Sequence, residues 1–593
     1  MEGAELMSVR RRRALTAVVA GTALVLASCA SLPSDSSPEV VRPYSAPGEV
    51  MEIPEPRNGV AQDVILRDFF TAMAHPTDDF EAARKFLTED AAENWIPQRE
   101  MLVLTDVNII SGVDGQSRTG DTYEVRSEVV GSLTTNGAYQ QSQGSWMEEF
   151  RMDRDSDGQW LISELPDGIY LERSTFMESY VPHNIYFVDP TGQRLVPDRR
   201  WLYRGEPDQV ARLMQLLRAG PRIELGQGVT TALRPSIEVS TFDLPEQTGT
   251  GINFEGAGDI SDDIRTLIAA QTVWTLGEAG LRGPWLLDAD GAPLIERSSA
   301  AWTRDAPEIA ALNPAISPGD SEPLRVVYNG AIYTLHDEGA EVADGIWGSA
   351  GSDLGYAAIG LDTEGETVYA GVQNRGSGTD TSASLIVGRP GLQTQTAVNA
   401  QTLTRPSWSP GASSVWTVAD GEVVHRAMWS EEQGSVSTEE VNIAELESLP
   451  GAISEFRIDP SGTQAAMLKG GQLVVATVVQ SDAAPWALVE PRAITLPEGV
   501  TPVSLTWNPD SALMVGDYGD ESPVWRVQSD GSSSYALPRV NLTAPIAQVA
   551  STSYTVYALD EFALMELVSD EGDQQFWRAV PEVPGRAAPI VVE

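Results

Sequence analysis

Four short stretches share one form: Ile359-Gly360-Leu361-Asp362-Thr363-Glu364-Gly365, Ser407-Trp408-Ser409-Pro410-Gly411, Arg457-Ile458-Asp459-Pro460-Ser461-Gly462 and Thr506-Trp507-Asn508-Pro509-Asp510-Ser511. Each passes from an apolar residue through a polar-Pro or polar-Thr turn and a small residue into an alternating strand. Pro410, Pro460 and Pro509 lie 50 and 49 residues apart, and Thr363 precedes Pro410 by 47. A strand-rich period of ~40–50 residues is the mark of a β-propeller, whose four-stranded blades must cover one another's apolar faces. The ~280 residues from Pro314 to Glu593, divided by that period, give about six blades. An all-β sandwich with recurrent turns is the alternative.

Upstream of this body the texture changes. Between His183 and Ala300 the order is strand, helix, strand, strand, helix, strand. The segments are Ile185–Val188, Glu206–Ala219 with its stop at Gly220-Pro221, Ile237–Phe242, Ile252–Glu255, Asp262–Leu276, and the closing strands Trp285–Leu287 and Pro293–Ile295. With Arg218-Ala219-Gly220-Pro221 and Thr230-Thr231-Ala232-Leu233-Arg234-Pro235, residues 183–300 resemble the GerMN module of bacterial envelope and spore proteins. Residues 59–182 begin with a helix carrying Val64, Ile65, Phe69 and Met73 on one face. A second helix is expected from an Asp78/Asp79 cap, with Phe80, Ala83, Phe86 and Leu87. Strands follow at Leu102–Ile110, Tyr123–Leu133, Ser145–Met152 and Trp160–Leu165. Two helices before a curved antiparallel sheet resemble a nuclear-transport-factor-2-like (NTF2-like) α+β domain. The fold class is therefore multidomain, α+β and all-β, with the propeller at residues 314–593.

Arg10–Arg13 form a positive cluster before the apolar run Ala14–Leu26, which is too short to span a bilayer comfortably and has the length of a secretory signal. It ends in Leu26-Ala27-Ser28-Cys29, and Cys29 is the only cysteine. The run resembles a bacterial lipobox. That resemblance implies cleavage after residue 28 and attachment of S-diacylglycerol and N-acyl chains to Cys29, giving lipid anchoring on the extracytoplasmic face of the cell membrane. Residues 29–58, rich in Ser, Pro and Glu, read as an extended tether.

With 85 acidic and 39 basic residues the formal net charge is −46, and only Lys85 and Lys469 are lysines. Phosphate neutralisation needs clustered cations, so this balance excludes a general nucleic-acid binder. A single cysteine at the anchor leaves no disulfide, thiol nucleophile or cysteine zinc site for the mature chain.

Asp153-Arg154-Asp155-Ser156-Asp157-Gly158 with Glu164 fits the spacing of a calcium loop. Its flanks read as strands rather than helices and Trp160 is bulky for the loop, so an acidic hairpin turn is the favoured reading and no metal site is assigned. His75, His183, His336 and His425 fall in separate segments, and no nucleophile elbow, phosphate loop or complete dinucleotide fingerprint occurs. Trp347, Trp408 and Trp507 lie beside blade turns, where core packing outweighs sugar stacking as their role.

The order of these parts, lipobox, helix-plus-sheet domain, GerMN-like module and propeller, resembles the LpqB lipoprotein family of actinobacteria over nearly the whole mature chain. The resemblance implies a protein that is not an enzyme and needs no cofactor. It implies binding to the extracytoplasmic domain of an MtrB-like sensor histidine kinase, modulating an MtrA–MtrB-type two-component system that governs cell-wall homeostasis and division. Cys29 is the one site residue it carries over. A structural lipoprotein that binds cell-wall polymer is the alternative. A propeller-borne hydrolase or lyase is a third reading, which would require acids and a base converging on an open central funnel.

Overall fold

The computed structural model describes residues 53–111, 121–243, 250–297, 301–314, 317–336, 338–375, 382–430, 435–481, 484–568, 576–583 and 585–593. The leader, Cys29 and most of the expected tether lie outside them.

The first body opens with α1 (Gln62–Ala72), α2 (Thr77–Arg84) and α3 (Glu89–Asn94). Helix α1 buries Ile65, Leu66, Phe69 and Phe70 because these recur at helical spacing. The Phe69 ring meets Phe86, Trp95 and Phe150 within 6.5 Å, so aromatic contacts seal helix to sheet. The Asp78/Asp79 cap does not form. Asp78, Asp79 and Phe80 take left-handed backbone angles, and the Asp79 carboxylate pairs with Arg84 at 2.8 Å and accepts from Gln98 at 2.6 Å. Strands β1 (Met101–Leu104), β2 (Asn108–Ser111), β3 (Thr122–Leu133), β4 (Tyr139–Arg154), β5 (Trp160–Glu164) and β6 (Ile169–Glu172) build the sheet in the order β5-β4-β3-β1-β6, with β2 also on β3. A Cβ at Gly131 would lie 2.2 Å from the Tyr139 hydroxyl, so the glycine is what lets that ring cross β3.

After α4 (Arg173–Ser179) comes a two-stranded ribbon, β7 (Tyr180–Val188) and β8 (Leu195–Tyr203), paired from Tyr180↔Tyr203 to Val188↔Leu195. Tyr180 and Trp201 belong to the first core, while Ile185, Phe187 and Val196 belong to the second. The ribbon thus runs unbroken through position 182/183 and joins two hydrophobic cores with regular hydrogen bonds in place of a linker.

The second body adds α5 (Gln209–Ala219), β9 (Glu238–Asp243), β10 (Thr250–Glu255), α6 (Asp262–Glu278), β11 (Trp285–Ala289), β12 (Ala292–Pro293) and β13 (Ala301–Trp302). Asp208 caps α5 by accepting from the Ala211 N–H. Strands β10 and β11 run parallel and flank α6 in sequence, the crossover that the strand–helix–strand pattern expects.

From Arg325 onward lie six four-stranded antiparallel sheets, I to VI. The innermost strands of II to VI are Leu354–Leu361, Ser407–Trp408, Ile453–Ile458, Pro502–Trp507 and Gln548–Ser551. Each of the four repeated turns in the sequence follows one of these strands. Sheet I combines Arg325–Tyr328, Ala331–His336 and Gly339–Val342 with the C-terminal strand Ala588–Ile590, which supplies the innermost position. Successive inner strands touch around the series and the last touches Ala588–Ile590, so the ring closes. Trp347, Trp408 and Trp507 are all buried between or within sheets, as their positions beside the turns predict. Met51–Glu593 forms one compact unit.

Candidate functional site: the central cluster of the ring and the module junction

Inner strands of a ring leave one edge of backbone groups unpaired toward the axis, and buried carbonyls there need donors. Two arginines supply them. Arg405 donates to the carbonyls of Leu505 (2.8 Å) and Val549 (3.1 Å) on two other sheets. Arg457 donates to the carbonyls of Arg405 (2.8 Å), Pro406 (3.2 Å) and Phe456 (2.8 Å). Gln548 reaches the Pro589 carbonyl at 2.7 Å, binding sheet VI to the closing strand.

Acids converge on the same axis. Glu455 lies 3.2 Å from the Arg457 guanidinium. Burial pushes its carboxyl up to about 7, against the opposing pull of Arg405 and the Phe456 N–H. The Glu593 side chain accepts from the Trp408 N–H (2.5 Å) and the Ser407 hydroxyl (3.2 Å), and burial raises it to about 7 as well. Tyr356, half exposed, stands beside Glu455 and Arg405. A funnel enzyme needs acid and base that can reach substrate. Here the guanidinium donors hold backbone carbonyls, and both acids, Glu455 and Glu593, are buried. The cluster stitches the ring together across its inner strands.

A second polar cluster lies where the ribbon and the loop after α5 meet sheets IV and V. Asp198 and Arg200 of β8 are fully buried and bonded at 2.6 Å. The same Asp198 carboxylate accepts the Arg222 N–H at 2.8 Å and lies 3.8 Å from the Arg222 guanidinium. Arg222 donates onward to Gln464 of sheet IV at 3.2 Å. Arg199 reaches Asp530 of sheet V at 3.5 Å. Thr477 donates to the Glu224 carbonyl at 2.6 Å. Burial and the nearby Arg222 lower the Arg492 guanidinium to about 10. Pairing offsets the cost of burying these charges, and the Asp198–Arg200 pair with the Arg222–Gln464, Thr477–Glu224 and Arg199–Asp530 contacts ties the ribbon and the loop after α5 to the ring.

The acidic motif at residues 153–164 forms the β4–β5 hairpin. Asp155 accepts from the N–H groups of Asp157 and Gln159, both at 2.9 Å, as a turn-forming aspartate does. Glu164 pairs with Arg151 and the Arg154 guanidinium covers the Trp160 ring, so Asp153, Asp157 and Glu164 are not gathered around a common centre. Among the described residues no group of three or more His, Cys, Asp or Glu is placed to hold a metal ion. The four histidines stay apart. His75 is buried against the Tyr203 hydroxyl at 2.7 Å, and burial lowers it. His183, lowered to about 4 by burial and then by Arg199, sits in the ribbon. His336 and His425 lie in sheets I and III. Among the described residues no helix is long and apolar enough to cross a membrane. Neither polar cluster was visible as a motif, because residues 198, 222, 464 and 530, or 405, 457 and 593, are brought together only by the fold.

Three family models match the chain: the LpqB N-terminal domain at residues 55–177, the "sporulation and spore germination" module at 184–295, and the LpqB β-propeller domain at 330–591. Lipoprotein LpqB of Corynebacterium jeikeium is 35% identical over 582 residues, covering 97% of each chain. Lipoprotein LpqB of Mycobacterium tuberculosis is 33% identical over 583 residues, covering 96% of this chain and 97% of that one. Lipoprotein LpqB of Rhodococcus opacus is 30% identical over 601 residues, covering 98% and 99%. With strand-rich mixed architecture, a propeller domain and both preceding modules matched in order, this chain belongs to the LpqB lipoprotein family.

Proposed function

We propose that the protein is a non-catalytic scaffold, lipid-anchored through Cys29 on the extracytoplasmic face of the cell membrane, that binds the extracytoplasmic domain of an MtrB-like sensor histidine kinase and so modulates an MtrA–MtrB-type system controlling cell-wall homeostasis and division. The commitment of Arg405 and Arg457 to backbone carbonyls at the centre of the ring supports the non-catalytic part of this reading, and directs attention to the outer surface. In this reading the six sheets are the six blades of the propeller and the first body is an NTF2-like domain with its cone filled by aromatic rings. The docking surface we favour is on sheets V and VI, where Tyr518, Val540 and Phe562 are each more than half exposed. Large exposed aromatic side chains are among the residue types that dominate protein–protein docking energy. Anchoring confines both partners to one leaflet, so a modest affinity suffices for occupancy. A change in kinase output further requires that binding favour one kinase conformation.

The test is titration of the full chain, in detergent, against the kinase extracytoplasmic domain. Saturable binding that weakens at least ~tenfold in Phe562→Ser and Tyr518→Ser supports the reading. Binding unaffected by both variants removes this surface, and co-sedimentation with purified cell-wall polymer in the absence of kinase binding would favour the structural alternative.

A further inference from the structure

One cleft, of about 340 Å3, opens between the first body and the ring. Its walls come from Val130, Tyr139 and residues 141–143 on β3 and β4, from residues 494–497 at the end of sheet IV and the loop after it, and from Val527, Gly531, Ser533 and Ser534 of sheet V. Gln141 holds the two walls together at one point by donating to the Thr495 carbonyl at 3.1 Å and accepting the Thr495 N–H at 2.7 Å. Clefts at domain boundaries with an apolar floor and a few polar groups are where small ligands bind.

The lining is unusual for this chain. Although the sequence has 85 acidic residues, none of the described residues lining the cleft is acidic, and Arg173 alone among them is charged. Arg173 makes no hydrogen bond or ion pair with another described residue. The neighbouring Asp530 is already engaged, accepting from the Ser532 hydroxyl at 2.6 Å and facing Arg199. The hydroxyls of Ser142, Ser533 and Ser534 have no partner among the described residues either. Tyr139 at the floor donates to the Val130 carbonyl at 2.9 Å, and burial pushes its hydroxyl up to about 12, so it stays neutral.

A lone guanidinium, free hydroxyls and an apolar floor from Val130, Leu496 and Pro497 match one ligand chemistry. We infer that this cleft binds a small polar molecule carrying a carboxylate, held by Arg173 with its body against the apolar floor. A sugar acid and the C-terminus of a short peptide share that chemistry. Bound there, it would bridge the first body and the ring, independently of the kinase reading above.

The experiment titrates the full chain in detergent by ligand-observed NMR with four probes: N-acetyl-dialanine, its C-terminal amide, glucuronate and its methyl ester. Saturable binding of one or both acids, with the neutral partner at least ~tenfold weaker, is expected from a charge-assisted bond. Which acid binds identifies the source. Arg173→Gln should remove the preference for acid over neutral probe, and Ser534→Phe should abolish binding of both by filling the cleft. Near-ultraviolet circular dichroism checks that each variant keeps its fold. No saturable signal from either acid at ~10 mM, a range where even a weak millimolar site would fill, overturns the inference. An acid preference that survives Arg173→Gln overturns it equally.

Discussion

Removing the Asp198 carboxylate should loosen the junction that makes three bodies one. Asp198 and Arg200 are both fully buried, and Asp198 also receives the Arg222 N–H at 2.8 Å while lying near its guanidinium. In Asp198→Ala, two guanidinium groups face a desolvated space without the acid that balanced them. Breaking a buried pair from one side costs ~3–5 kcal/mol. With an unfolding entropy of ~2 cal/mol/K per residue, the body spanning residues 53–593 has roughly 1 kcal/mol/K at its midpoint, so Tm should fall by ~3–5 °C. Calorimetry reads the shift. Hydrogen exchange at the Arg222 amide shows whether it originates at the junction. Asp198→Asn keeps an acceptor for that amide but no charge, and should fall between the two. An Asp198→Ala protein that melts within ~1 °C of the parent would refute the reasoning that this pair holds the bodies together.

Three further outcomes follow from the packing. Burial raises Glu455 to about 7 from its usual 4.5, so between those values the folded state holds a proton that the unfolded chain has released; the contribution of Glu455 to stability is full at and below pH 4.5 and is lost as pH rises through 7, and Glu455→Gln should remove up to ~3 kcal/mol of that decline in Tm–pH profiles, leaving the parallel contribution of Glu593. A Cβ at Gly228 would lie 2.6 Å from the Thr477 methyl and 3.2 Å from the Val478 carbonyl, so Gly228→Val should cost ~1–3 kcal/mol and raise protease cutting between the second body and the ring. Ending the chain at Ala587 removes the inner strand that pairs Arg325↔Ile590 to Val327↔Ala588, and the opened ring should bind a hydrophobic dye and lose its cooperative transition.

The parts of the fold that local chemistry dictates were legible in the sequence. The turns at Pro410, Pro460, Pro509 and Thr363 each mark where an inner strand ends, because a reversal there needs the same few residue types at each repeat. Two sheets lacked the signal. Sheet VI turns through Thr552-Ser553-Tyr554 with neither Pro nor Gly, and sheet I is split between residues 325–342 and 588–590. Strand β8 gives no strand signal because Asp198, Arg199 and Arg200 look like solvent-facing loop residues, whereas tertiary pairing buries two of them completely. Residues 169–179 hold a strand and a helix, β6 and α4, each too short to show a period. The Asp78/Asp79 pair reads as a helix cap, yet tertiary partners Arg84 and Gln98 take the Asp79 carboxylate. The calcium-like spacing at Asp153–Glu164 lies in a hairpin whose strand flanks are readable in the sequence. The central cluster and the junction could not be read, since their members are dispersed over hundreds of residues and buried charge has no periodicity.

We propose that the ring works through its outer surface on a signalling partner, with the buried cluster at its centre serving stability. The most direct measurement is the affinity of the kinase extracytoplasmic domain for the full chain and for Glu455→Gln, compared at a pH where both are folded. The account predicts saturable binding with the same affinity for both proteins. Absence of binding by folded protein, or loss of binding in Glu455→Gln alone, would contradict it.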